Sequence, residues 1–309
     1  MKELVVISGK GGTGKTSILA SFAVLADDAV LADCDVDAAD LHLVLTPTVR
    51  RRERFSGGSR ARIMPGHCMA CGKCEEICRF DAIFFDGPGN GRVERTFRVD
   101  PFACEGCGLC ARFCTYGAVE FAPVVNGKWF VSETRAGPMV HARLDPGEEN
   151  SGKLVSLVRT EARQLAERRR APRVLIDGAP GIGCAVIASI NNADLVLIVT
   201  EPTLSGRHDL ERVAELTAHF GIPTSLAVNK WDLNADLARQ IETEAAARGL
   251  HLAGRVRYDR AVTEAQLRRR TIIEHTENNA AADVRELWAA VSARLEQTAA
   301  RNHEEPPRR

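Results

Sequence analysis

A chain of 309 residues, 45% of them hydrophobic, can bury a sizeable core and hold one large domain or two. Its 41 Lys and Arg balance its 41 Asp and Glu, so no bulk charge draws it to nucleic acid or to an anionic membrane. No apolar run approaches the roughly 18 residues needed to span a bilayer, and the run in MKELVVIS is too short for a signal peptide, so a cytoplasmic protein is expected.

The first expected element is a strand near residues 3–8, followed by a glycine-rich loop and an apolar helix near 15–26. Gly9, Gly14, Lys15 and Thr16 fit G-x-x-x-x-G-K-S/T in the strand–loop–helix context this motif requires. From Gly9 through Gly11, Gly12, Thr13 and Gly14 to Ser17, backbone N–H groups can approach phosphate oxygens, and the helix N-terminus adds partial positive charge. Lys15 is placed to neutralise the β and γ phosphates and Thr16 to ligate Mg²⁺. Lys10 is a second lysine inside the loop, giving K-G-G-T-G-K-T. This deviant form resembles the MinD/ParA class of P-loop ATPases. The resemblance implies that Lys10 crosses to the phosphates of a facing subunit, and hence a homodimer with ATP at its interface.

The next strand and helix are expected near 29–34 and 38–45, in AVLADCDVDAADLHL. By the same resemblance Asp35 is the switch-I aspartate that orients the attacking water, joining Lys10 and Lys15 as catalytic groups and contacting the Mg²⁺ site. Asp33 could simply cap the helix. The run VRRRERFSGGSRAR, with six arginines and few aromatics, reads as a solvated linker.

Ten cysteines in a reducing compartment point to metal or redox chemistry rather than disulfides. Eight fall into two C-x2-C-x2-C-x3-C sets: Cys68, Cys71, Cys74, Cys78 and Cys104, Cys107, Cys110, Cys114. Zinc sites usually pair two C-x2-C knuckles across a longer stretch, whereas thiols at every third residue let one loop wrap three corners of an iron–sulfur cube. In two-cluster ferredoxins the fourth cysteine reaches the other cube. The expected ligand sets are therefore Cys68, Cys71, Cys74 and Cys114 for one 4Fe-4S cluster, and Cys78, Cys104, Cys107 and Cys110 for the other. Residues 62–122 resemble a bacterial-type ferredoxin, except that Arg79 and Thr115 replace the proline that usually follows each fourth cysteine. Between the motifs a hairpin is expected, with its turn in the Gly-Pro-Gly-Asn-Gly run.

Farther along, strands are expected near 173–177, 194–200, 223–229 and 251–257, and helices near 151–169, 183–192, 207–219, 235–248 and 280–299. Their apolar runs lack period-two alternation, which argues for a doubly wound, mostly parallel sheet of the α/β class. In RVLIDGAPGIG the resemblance makes Asp177 a Mg²⁺-water ligand and 178–181 the switch-II turn. Asn229 and Asp232, in SLAVNKWD, stand where this class recognises the base. The N-K-x-D pattern also occurs in GTPases, so ATP rests on the deviant loop. VTEPTLSG and GEENSGKLV also resemble segments of this group, and Glu149 and Lys153 in the latter could pair one turn apart. The last helix, with Leu287, Trp288, Val291 and Leu295, reads as a core or dimer stripe; Cys34 and Cys184 read as buried small hydrophobes.

The expected organisation is an ATPase domain at 1–61 and 123–300, a ferredoxin-like α+β insertion at 62–122, and a disordered tail at 301–309. The expected function is ATP hydrolysis in a nucleotide-dependent dimer coupled to two clusters. Its use would be ATP-gated electron transfer to a redox partner or maturation of a partner's metallocofactor. The alternative is a positioning or regulatory ATPase of the MinD/ParA kind whose clusters only sense redox state.

Overall fold

The computed structural model describes residues 1–146 and 151–298. They divide into two compact units. The first comprises Met1–Glu53, Trp129–Arg143 and the chain from Ser151; the second comprises Arg54–Lys128 and the short stretch starting at Leu144. That second unit is wider than the cysteine motifs alone mark out.

The first unit opens with β1 (Lys2–Ser8), α1 (Lys15–Leu25), β2 (Ala29–Asp33), α2 (Leu41–Leu45) and β3 (Thr48–Phe55). The second unit then supplies β4 (Gly58–Ile63), α3 (Lys73–Glu76), β5 (Ile83–Gly87), β6 (Thr96–Val99), α4 (Leu109–Phe113) and β7 (Val119–Val124). The chain returns through β8 (Gly127–Thr134) and β9 (Gly137–Leu144) to α5 (Ser151–Arg169), β10 (Arg173–Pro180), α6 (Cys184–Ile190) and β11 (Leu195–Thr200). It ends with α7 (Leu204–His219), β12 (Thr224–Asn229), α8 (Ala235–Ala247), β13 (His251–Val256), α9 (Arg260–Leu267), α10 (Ile272–His275) and α11 (Ala280–Gln297).

Nine strands form the main sheet in the order β13-β12-β11-β1-β10-β2-β9-β8-β3. Pairings from β13 through to β9 are all parallel. Leu4, Val5, Val6 and Ile7 of β1 are fully buried, as are Leu195 to Val199 of β11, because helices cover both faces of a parallel sheet. α1 packs on α11, with the Phe22 and Trp288 rings 5.0 Å apart. Leu287, Val291 and Leu295 of α11 are buried, so the last helix is a core element; burying each such side chain contributes about 2 kcal/mol. Among the described residues no helix is long and apolar enough to cross a membrane.

Two departures from expectation extend the sheet. β8 and β9 form a hairpin joined at Arg135–Ala136, with Gly137 at φ 119°, where a side chain would strike the Ala29 carbonyl. The arginine-rich run is not a linker: it forms β3 and β4. Arg51 and Arg52 lie over the Trp129 and Phe130 rings at 4.8 and 5.4 Å. β3 is the sheet's last strand, and its charges blunt an edge that would otherwise template aggregation.

In the second unit β4 pairs antiparallel with β7, and β5 with β6 as the expected hairpin. A small core of Ile63, Ile83, Phe97 and Ala118 lies beneath the cysteines. The sequence repeat is also a structural one. Gly72 and Gly108 take left-handed φ of 77° and 74°, and a short helix follows each.

Candidate functional site

β1, β2, β10 and β12 end on one side of the sheet, beyond the carboxyl ends where an α/β fold places its ligand. The glycine-rich loop leaves β1 there. Ser8 Oγ donates to the Lys10 carbonyl at 2.7 Å, turning the chain back on itself. Gly9 has no room for a side chain, since a Cβ would lie 2.4 Å from that of Asp209. Gly14 caps α1 at φ 90° with no capping side chain, so the first N–H groups of the helix are free for an anion.

Behind the loop sits a buried charge cluster. Lys15 Nζ lies 2.8 Å from Asp177 Oδ1 and 3.4 Å from Asp35 Oδ2, and Thr16 Oγ1 donates to Asp177 Oδ2 at 2.7 Å. Asp33, a fully buried neighbour of Asp177 in the sheet, does not cap a helix. Its Oδ1 accepts from the Asp35 N–H at 3.2 Å, while its Oδ2 has no partner among the described residues. Three carboxylates thus face one lysine. Burial, reinforced by the Asp177 charge, pushes the Asp33 carboxyl far above its usual range. Burial also raises Asp35, against the pull of Lys15. Burial works against the Lys15 charge, but Asp177 and Asp35 hold its pKa above the ordinary lysine value. The oxygen-rich, under-compensated cluster fits a hard divalent cation. Among the described residues no three His, Cys, Asp or Glu side chains converge on one ion. Thr16 with Asp177 and Asp35 would therefore hold Mg²⁺ largely through water and phosphate, as that ion prefers.

Lys10 does not reach outward. Its Nζ is 2.7 Å from Glu201 Oε1 and 2.9 Å from Ser205 Oγ. Glu201 Oε2 also holds Lys230 Nζ at 3.2 Å, and Lys230 donates to the Gly12 carbonyl at 3.2 Å. Burial opposes the Glu201 charge, but the two lysines keep its pKa below the usual carboxylate range. One carboxylate, in the VTEPTLSG turn, therefore ties both lysines to the loop. Sequence reasoning singled out the turn but not Glu201 or Lys230, because a pair so distant in sequence leaves no spacing to read.

A cavity of about 230 Å³ adjoins the loop, lined by Gly12, Gly14, Ser17, Asn229, Tyr258 and Gln266 among others. Asn229 Nδ2 donates to the Thr13 carbonyl at 2.7 Å. Asp232 is not among the lining residues; its Oδ1 accepts from the Tyr258 N–H at 2.7 Å and so positions a residue that is.

In the second unit the eight motif cysteines divide between two cavities. Cys68, Cys71, Cys74 and Cys114 line one; Cys78, Cys104, Cys107 and Cys110 line the other. Each fourth cysteine thus faces the other motif's cavity. The Ala118 N–H donates to Cys114 Sγ at 3.3 Å. Burial raises the Cys74 thiol to about 11 and pushes Cys110 up as well. Four thiols around each space suit a four-iron cube, in which each thiolate binds a different iron and none need share an ion with another.

Two cysteines lie outside these sets. Cys34 is buried, but Cys184 is exposed at the first position of α6, against expectation, because it follows the exposed 182–183 turn at the helix edge. Glu149 and the tail at 301–309 lie outside the described residues.

The model of the CobQ/CobB/MinD/ParA nucleotide binding domain matches residues 4–272. Uncharacterized protein MJ0578 of Methanocaldococcus jannaschii is 34% identical over 242 residues, 75% of this chain and 79% of that protein. A second protein of that organism, MJ0579, is 29% identical over 108 residues, 35% of this chain and 39% of its own length. Among solved structures, the Pyrococcus furiosus cell division ATPase MinD superposes with TM-score 0.54 at 17% identity, covering 94% of this chain and 98% of that one. The Pyrococcus horikoshii septum site-determining protein MinD, complexed with Mg-ADP, gives 0.56 at 15% identity, over 94% and 95%. Likeness at that identity is a likeness of fold. With the family match over most of the chain and the glycine-rich loop at the sheet's carboxyl end, the chain belongs to the CobQ/CobB/MinD/ParA nucleotide-binding family.

Proposed function

We propose that the protein is a MinD/ParA-type switch ATPase whose nucleotide-dependent pairing is read out by a unit carrying two 4Fe-4S clusters that respond to redox state. The observation that carries the cluster assignment is the division of eight cysteines between two cavities, four to each. The clusters would supply one-electron redox chemistry. Cys68, Cys71, Cys74 and Cys114 would hold one, and Cys78, Cys104, Cys107 and Cys110 the other. ATP with Mg²⁺ is supported by the buried Asp33, Asp35 and Asp177 set facing Lys15, and the horikoshii relative's structure contains Mg-ADP.

In this reading the loop N–H groups from Gly9 to Ser17 receive the phosphates, and Lys15 turns from Asp177 to the phosphate oxygens. The cavity beside Asn229 takes the base. Asp35, its carboxyl raised by burial, accepts the hydrogen bond that orients the attacking water. Lys10 leaves Glu201 to reach a facing copy's phosphates, which makes pairing a two-state event that ATP biases. The first expectation, electron delivery or cofactor maturation for a partner, stands as the second reading. The eight-cysteine ligand set favours it, whereas the MinD and ParA likenesses favour the switch.

The test combines ATP turnover, light scattering and anaerobic iron analysis. Lys15→Ala should lose nucleotide binding, while Lys10→Ala should keep binding yet lose hydrolysis and pairing. Normal turnover by monomeric Lys10→Ala would remove the switch. A stoichiometric zinc content without charge-transfer absorption would remove the clusters.

A further inference from the structure

Another cavity in the ATPase unit belongs neither to the nucleotide site nor to the cysteines. It is about 730 Å³, within the range of small-molecule sites, and lies among α2, β3, β8, β9 and the end of α9. Its charged lining groups are Arg52, Arg143 and Arg269, with no carboxylate among the lining residues. Among the described residues, none of these three guanidinium groups is in an ion pair. One wall is a stack of rings: Phe130 and His141 have centroids 4.9 Å apart at 22°, and His141 and His42 are 6.4 Å apart at 9°. Ser132 Oγ meets His141 Nε2 at 2.9 Å and fixes that ring. Burial lowers the His141 pKa to about 4, so that ring is uncharged near neutral pH. The rim is apolar and open, with Leu43 at 55% and Leu267 at 81% exposure.

From this juxtaposition we infer that the cavity is a binding site for a small amphipathic organic anion, a planar or apolar body bearing a carboxylate, sulfonate or phosphate. Guanidinium forks recognise such groups by paired hydrogen bonds, and three of them line a space with no carboxylate in its lining, Arg52 with its face on the Phe130 ring. The ring wall and the leucine rim take the apolar body, which a bare inorganic anion would leave uncovered.

The site has a physical connection to the P-loop. Gln266 lines this cavity and also the cavity beside the loop, and its Nε2 donates to Ser17 Oγ at 2.7 Å, in the first turn of α1. Occupancy is therefore coupled to the nucleotide site through one side chain. This coupling, unlike the site itself, rests on the nucleotide reading above.

The experiment is a fluorescence titration of nucleotide-free protein with 8-anilinonaphthalene-1-sulfonate as the probe. Wild type should bind one equivalent, and Arg143→Glu and Arg269→Glu should each bind at least tenfold more weakly. Both side chains are exposed, so the variants should fold, which far-UV circular dichroism checks. Equal affinity in all three proteins overturns the site, including the case where the dye sits in the nucleotide cavity. Displacement by inorganic phosphate at the dye's own concentration overturns the amphipathic class. Saturating ATP–Mg²⁺ should shift the dye's affinity in wild type, and Gln266→Ala should abolish the shift. An unshifted affinity with ATP bound overturns the coupling, while failure to bind ATP would leave the dye titration intact.

Discussion

Glu201→Gln should strengthen ATP-dependent pairing. In the single chain Glu201 holds Lys10 at 2.7 Å, so the lysine must leave it before serving a second copy. The Lys10 and Glu201 side chains are 31% and 16% exposed, so solvent screens their attraction in part. For such a pair the net contribution is about 1 kcal/mol. Two copies must each release one lysine, so the isosteric glutamine should favour the dimer by about 2 kcal/mol, or roughly 30-fold in dissociation constant. Analytical ultracentrifugation across a protein dilution series, with a non-hydrolysable ATP analogue, reads this directly. Nucleotide affinity at concentrations where the protein is monomeric is the control, because Glu201 also steadies Lys230 against the Gly12 carbonyl. Unchanged or weaker pairing with intact nucleotide affinity would refute the restraint. A fall in nucleotide affinity would instead make Glu201 a support of the loop.

Anaerobically purified protein should carry about eight irons per chain, and Cys78→Ala should damage the cluster built on Cys104, Cys107 and Cys110, whose cavity it lines; Mössbauer or EPR loss confined to the Cys68 motif would refute the crossing. Arg159→Ala should cost about 3 kcal/mol in urea denaturation with an unchanged m-value, because it strips a buried partner from Glu3, itself 1% exposed; a loss under about 1 kcal/mol would show that Arg163 compensates alone. His141, lowered to about 4 by burial and then by the His42 charge, binds its proton in the unfolded chain first. Stability should therefore fall as pH drops from about 6.5 towards 4, by about 3 kcal/mol in all, and His141→Gln should flatten the curve in that window.

The parallel core was legible because its signals are local. Residues 195–199 are an unbroken apolar run and form β11, buried throughout, and the Gly-rich turn between the cysteine motifs does close a hairpin. The loop's glycines also announce themselves, since Gly9 and Gly14 sit where a Cβ would strike Asp209 and Asn229. What stayed hidden depends on partners far along the chain. β3 reads as a charged linker because it has no apolar alternation, and the ring faces that Arg51 and Arg52 lie over are on β8, roughly 80 residues away. Glu3, a lone carboxylate ahead of the apolar run of β1, is buried against Arg159 and Arg163 of α5, more than 150 residues away. Cys184 reads as a core residue, but one position at a helix start turned it outward.

The same distinction separates what the chain shares with its fold from what is its own. Any P-loop needs a lysine against phosphate, and Lys15 is held ready by Asp177 within β10 and Asp35 just past β2. The second lysine is different: its partner is a turn residue outside the strands, and the contact is partly exposed. A strong buried pair would lock Lys10 in place, while an unpaired lysine would leave the single chain free to pair without nucleotide. An interaction of about 1 kcal/mol lies between these limits. On the proposed reading it would bias the resting chain towards the single-copy arrangement and yield to the charge of a triphosphate, as a reversible switch requires.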